Sequence, residues 1–252
     1  MTKKTTSWHS PRLEREITVC RWGEVGTPVL FFPTAAGDAE ECERFLLVDA
    51  LAPMLEAQQI KLYSVDSTAG MVWLTEDNRS SVATRAQNQF DAAVYHEVVP
   101  AIRTDCGADD VEIIVSGASI GAFQAVAGLL RHPDVFSHAI CMSGTYDLTK
   151  KILKAPLDKD YYCSSPLHFL PDLPEDDQLA RTRERFVLIT HGKGKWEAPA
   201  ESWRLADALG ARGIPNRVDE WDEEWNHDWP TWRRMMPHYL TELLDLEELP
   251  GD

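Results

Sequence analysis

The chain has 252 residues, 44% hydrophobic and 26% charged, with a formal net charge of -16. That length suits one large α/β unit over residues 1–252, with enough apolar residues for a sizeable core and too many for a disordered chain. So acidic a surface repels polyanions, which excludes nucleic acid and anionic membrane as partners and leaves solubility as the simplest role of the charge.

The opening segment MTKKTTSWHSPRLERE starts positive but has no apolar stretch of a signal peptide, and no later run is apolar enough to span a bilayer. The cytoplasm is therefore the expected location. Five cysteines (Cys20, Cys42, Cys106, Cys141, Cys163) are scattered without a C-x-x-C pair and read as small core residues. His96-Glu97 lacks the second histidine of a zincin helix, so neither metal nor cofactor is expected.

In chain order, Glu14 to Trp22 alternates and predicts a strand. Pro28 to Phe32 is a solid apolar run, as in a strand buried on both faces. A small-residue loop, Pro33 to Asp38, follows, and Asp38 with Glu41 forms a capping-box pattern that predicts a helix to about Gln58. Ile60 to Val65 reads as a strand, Asp66 to Arg79 as irregular, and Ser81 to about Arg103 as a long helix. Val111 to Val115 is a β-branched run leading through Gly117-Ala118-Ser119-Ile120-Gly121 into a helix ending near Leu130. Phe136 to Met142 predicts the next strand. Residues 145–185, rich in Pro, Asp, Lys and Tyr, predict an excursion over a rim, with Tyr146, Tyr161 and Tyr162 as candidates to line it. Phe186 to Thr190 and Asn216 to Trp221 predict further strands, Ala200 to Arg212 a helix closed by Gly213, and Trp229 to Leu244 a last helix. Strands alternating with helices imply a mostly parallel sheet covered on both faces, with right-handed crossovers.

The segment VEIIVSGASIGA carries the chemistry. A serine on a sharp strand-to-helix turn presents its hydroxyl above the sheet, and glycines flank it because a Cβ would collide with neighbouring backbone. The competing reading is an ordinary glycine-rich turn. A serine hydroxyl needs a base to take its proton and a third group to orient that base. On this kind of elbow the partners follow in the order serine, acid, histidine, each after a strand. His227, in Asn226-His227-Asp228-Trp229, follows the last predicted strand and is the expected base; His191, ending FVLIT, is the rival but breaks the order. The acid expected in HGKGKWEAPAES is Glu197, with Glu201 and Asp147 as alternatives. Oxyanion donors would be the Ile120 N–H and an N–H from Thr34 or Ala35.

These residues resemble the putative-esterase branch of the α/β-hydrolases, which includes S-formylglutathione hydrolases (esterase D), feruloyl and enterochelin esterases, and polyhydroxyalkanoate depolymerase-like proteins. The resemblance runs from PVLFFPTAAGD through GASIGAF and MSGTYD to NHDWPTW. It implies an α/β-hydrolase fold and a carboxylic-ester hydrolase with Ser119 as nucleophile, His227 as base and a carboxylate near Glu197. Two departures stand out: Pro33-Thr34 where relatives commonly carry His-Gly, and Glu where Asp is usual. Both leave room for a catalytically silent binding protein of this fold, and an acyltransferase would use the same groups. Six of nine tryptophans lie from Trp196 onward; Trp196, Trp225 and Trp229 sit beside Glu197 and His227 in sequence and are candidates to bind an apolar or aromatic acyl group of a small ester. The alternative is that they anchor the last helix.

Overall fold

A computed structural model describes residues 2–35, 37–74, 81–151 and 158–245. Eight strands form one sheet: β1 (Lys3–Ser10), β2 (Arg15–Trp22), β3 (Thr27–Phe32), β4 (Ile60–Val65), β5 (Ile113–Ala118), β6 (Phe136–Met142), β7 (Phe186–His191) and β8 (Asn216–Glu220). Their order is β1-β2-β4-β3-β5-β6-β7-β8. β2 runs antiparallel to β1 and β4, and every other pairing is parallel. Every residue of β4 and β5 is buried, so these central strands are mostly apolar, with Lys61, Ser64 and Ser116 as buried polar exceptions. β1 went unpredicted: KKTTSWHS is polar and pairs only with β2, so it has one ladder partner and a mostly exposed surface.

The helices are α1 (Glu41–Arg44), α2 (Leu47–Ala50), α3 (Ala52–Glu56), α4 (Thr68–Trp73), α5 (Ser81–Ala93), α6 (Val99–Cys106), α7 (Ile120–Arg131), α8 (Leu148–Lys151), α9 (Lys159–Ser164), α10 (Pro166–Phe169), α11 (Asp177–Thr182), α12 (Pro199–Ala211) and α13 (Trp229–Leu243). They cover both faces. One core packs α5, α6, α7 and α12 against the sheet through residues such as Phe90, Ile102, Phe123 and Leu205. The other packs α2, α3 and α13 through Leu47, Met54, Trp232 and Met236. Among the described residues of 145–185 the chain forms only short helices. Tyr146 and Tyr161 are buried in the first core rather than lining a rim; only Tyr162 is exposed.

Two helical expectations and one of irregular chain need correction. The single helix from Asp38 to Gln58 is broken into α1, α2 and α3, with Leu46 in the left-handed region (φ 62°) between the first two. No capping box forms, because the Glu41 carboxylate is drawn to Thr34 instead of back to Asp38. The stretch after Asp66 contains α4, whose fully buried Trp73 donates its Nε1–H to the Ala83 carbonyl at 2.9 Å; residues 75–79 of that stretch lie outside the described residues. The helix from Ser81 continues to Cys106, but Val94–Val98 adopts the wider π form between α5 and α6.

Candidate active site

Ser119 stands between β5 and α7 with φ 57° and ψ -117°, a conformation costly for a residue with a Cβ. The surroundings enforce it. Its N–H donates to the Met142 carbonyl at 2.9 Å, and its carbonyl accepts from the Thr145 N–H at 3.2 Å, tying the bend to the end of β6. A Cβ on Gly117 would fall 2.2 Å from the backbone of Gly121, and one on Gly121 would fall 2.2 Å from the Phe32 carbonyl oxygen. Both glycines are thus required by backbone contact, and the start of α7 is pressed against the end of β3. The Ile120 N–H belongs to the first turn of α7, whose donors have no partner within the helix and point toward the Ser119 side.

His227 and Glu197 come from the loops after β8 and β7, and backbone contacts hold these loops together. The His227 N–H donates to the Lys195 carbonyl at 3.0 Å, the Gly194 N–H to the Trp225 carbonyl at 2.9 Å, and the Lys195 N–H to Asn226 Oδ1 at 2.7 Å. A Cβ on Gly192 would lie 2.0 Å from the Trp225 carbonyl oxygen, so the first Gly of HGKGK lets the loops meet. The Glu197 carboxyl group is 1% exposed, with Oε2 3.7 Å from His227 Nδ1. Its other oxygen, Oε1, accepts from the Ser143 hydroxyl at 2.6 Å, and Ser143 Oγ accepts in turn from Trp232 Nε1–H at 2.9 Å. The Trp232 ring also stands edge-to-face with His227 at 5.2 Å. Ser143 and Trp232 were not singled out by sequence reasoning.

The alternative acids have other partners. Glu201 Oε2 accepts from the N–H groups of Tyr146 and Asp147 at 3.1 and 2.9 Å. Asp147 pairs with Arg204 at 2.6 Å and accepts from the Thr149 hydroxyl. His191, the rival base, is buried with Nε2 3.3 Å from Glu220.

The loop after β3 differs from expectation at Thr34. Its N–H donates to Glu41 Oε2 at 2.7 Å and its hydroxyl to Oε1 at 2.6 Å, so the Thr34 amide is engaged and not available to a substrate oxygen. Ala35, half-buried, is left as the candidate second donor. Burial pushes the Glu41 carboxyl above its ordinary value, although the hydrogen bonds from Thr34 pull the other way. Glu41 thus props the loop from below: a Cβ on Gly37 would sit 2.4 Å from its Oε2. Glu41→Ala should leave the Thr34 N–H without an acceptor and destabilise the fold by about 1–3 kcal/mol, read from the midpoint of urea unfolding, whereas Glu41→Gln, which retains one acceptor, should lose less.

The three sequence-predicted tryptophans take different places. Trp196, with φ 68°, is 84% exposed beside Glu197. Trp229 stacks on Phe45 at 4.9 Å and lies 5.2 Å from the Trp232 ring. Trp225 packs on Trp221 and lines a surface cavity with Pro230 and Arg233, beside α13. Among the described residues no group of three or more His, Cys, Asp or Glu is placed to hold a metal ion, and no helix is long and apolar enough to cross a membrane.

A mostly parallel eight-stranded sheet in this order, with an acute serine bend after β5, defines an α/β-hydrolase fold. Residues 76–243 match the Putative esterase family, and the chain belongs to it. It is a carboxylic-ester hydrolase. Solved structures share the fold. A ferulic acid esterase superposes with a TM-score of 0.71 at 16% identity over 96% of this chain and 98% of its own. An S-formylglutathione hydrolase from Agrobacterium tumefaciens gives 0.71 at 13% identity over 96% and 94%. The enterobactin esterase from Shigella flexneri gives 0.65 at 18% identity over 97% of this chain and 60% of that one. No curated protein sequence matches the chain.

Proposed function

We propose that the protein cleaves a small carboxylic ester through an acyl-enzyme on Ser119. The observation that supports this most is a buried Glu197 carboxylate facing Nδ1 of a His227 fixed by loop-to-loop hydrogen bonds, with Glu197 tied through Ser143 to the end of β6, where the strained Ser119 bend is also anchored. Glu197 directs the Nδ1–H, which leaves Nε2 to accept the serine proton. Ser119 Oγ attacks the carbonyl carbon as that proton passes to Nε2. The oxyanion accepts hydrogen bonds from the N–H groups of Ile120 and Ala35. The tetrahedral species collapses, the alcohol leaves with the proton from His227, and an acyl-serine remains. Water, activated by the same imidazole, then releases the acid and restores the hydroxyl. Trp196 and Trp229, beside the acid and at the start of α13, suit an apolar or aromatic acyl group. The five cysteines are free, with Cys163 exposed, which fits a reducing cytoplasm.

A fluorophosphonate probe tests the reading, since it labels only an activated serine. One adduct per chain should map by mass spectrometry to the peptide containing Ser119 and should disappear in Ser119→Ala. Absence of an adduct across a broad pH range would overturn the proposal.

A further inference from the structure

We propose that the sheet face formed by β1, β2 and β4, beside α6, carries a second binding site, for an organic anion with an apolar body. A cavity of about 470 Å³ opens there, sharing no lining residue with the Ser119 site. Its size is that of small-molecule sites in general.

One end of this cavity is electrostatically incomplete. Lys4 stands directly opposite Arg21 across the antiparallel β1–β2 ladder, and Arg21 opposite Tyr63 on β4. Like charges directly opposite on one face destabilise a sheet. The Arg21 side chain is only 13% exposed, so its guanidinium has lost most of its hydration. Its Nε is buried with no hydrogen-bond partner, and its ion-pair contact, to Asp105 Oδ2, is 3.9 Å long.

Asp105 cannot supply what is missing, because others already use it. Oδ2 takes Lys61 Nζ at 2.7 Å and the Tyr63 hydroxyl at 2.8 Å, while Oδ1 faces Lys4 at 3.4 Å. Burial acts to raise the Asp105 carboxyl, but the hydrogen bonds from Lys61 and Tyr63 outweigh it and hold it down to about 2. One carboxylate therefore faces three cations: Lys4, Arg21 and Lys61. Glu97, the acid near the other end, accepts from Trp8 Nε1–H, the Ser10 hydroxyl and Arg12 at 2.9 to 3.1 Å. This local excess of positive charge occurs in a chain of net charge -16, so it does not belong to a generally basic surface.

A carboxylate, sulfonate or phosphate entering between Lys4 and Arg21 would accept from the guanidinium fork and remove the repulsion between the two cations. Trp8, Val19 and Ile102 give the cavity an apolar wall, interrupted by the hydroxyls of Thr6 and Thr104. Positions 4, 6 and 8 of β1 share one face and span about 13 Å, which sets the ligand's reach: an anionic head at Lys4 and an aromatic or alkyl body extending toward Trp8.

Calorimetric titration with naphthalene carboxylate, and with neutral naphthol as control, tests this on the full chain. The carboxylate should bind wild-type protein and Ser119→Ala alike, and should weaken as salt is raised. Arg21→Gln should weaken it by about tenfold or more, and naphthol should bind wild-type protein more weakly by a similar factor. Ala101→Trp, which fills the cavity and leaves the cations in place, provides a second variant should Arg21→Gln fold poorly, and it should abolish binding. No binding to wild-type protein at millimolar ligand, or equal affinity for wild-type protein and a folded variant of either kind, would overturn the proposal.

Discussion

Replacing Ser119 by alanine should lower turnover of a short-chain nitrophenyl ester by about a million-fold, the scale on which enzymes of this kind depend on their nucleophile. The structure separates this loss from misfolding. Backbone groups, not the side chain, anchor Ser119: its N–H bonds Met142 and its carbonyl accepts from Thr145. Alanine carries the same Cβ into the same φ of 57°, so the strain persists unchanged and thermal unfolding should stay within a few degrees of wild type. Glycine at this position should be equally inactive, because what matters for rate is the hydroxyl. A Ser119→Ala protein retaining turnover within tenfold of wild type, with hydrolysis of the free ester subtracted, would remove the nucleophile from the mechanism.

How much of this was legible in advance depended on where each residue's partners lie. β4, β6 and β7 were plain because strands buried among others must be apolar throughout, and IKLYSV, FSHAICM and FVLITH are nearly so. The elbow is plain because G-x-S-x-G places its glycines where backbone contact demands them, Gly117 against Gly121 within the motif and Gly121 against Phe32 on β3. Asp38 and Glu41 have the spacing of a capping box, yet the Glu41 carboxylate satisfies a tertiary demand at Thr34 instead. That demand accounts for the Pro33-Thr34 departure from relatives: the threonine supplies two donors to a buried acid. Ser143 was invisible for a related reason. Its partner Glu197 is 54 residues away and Trp232 is 89 away, and nothing in Met142-Ser143-Gly144 marks its hydroxyl as bridging them. The tryptophan that touches the histidine, Trp232, lies inside a helix, whereas nearness in sequence points to Trp196, Trp225 and Trp229.

Glu197→Gln should lower kcat by about ten-thousand-fold near neutral pH while KM changes little. The substitution keeps volume and leaves the site buried, so packing is not the cause. The Glu197 carboxylate has no proton to give, so Ser143 donates its hydroxyl proton to Oε1 while its oxygen accepts from the Trp232 Nε1–H. That fixes the amide oxygen of the variant at the Oε1 position and turns the NH2 toward His227 Nδ1. An N–H facing Nδ1 forces the proton onto Nε2, the nitrogen that must accept from Ser119, so the base is held in the wrong tautomer. The same logic assigns Ser143 as a positioning residue. Ser143→Ala alone should cost about tenfold in kcat, because Glu197 then keeps its charge but loses the donor that orients it. In the Glu197→Gln background Ser143→Ala should cost nothing further and should restore part of the rate, since the amide is then free to turn its oxygen toward Nδ1. Simple multiplication of the two losses in this cycle, measured with the same nitrophenyl ester, would mean that Ser143 does not act through Glu197.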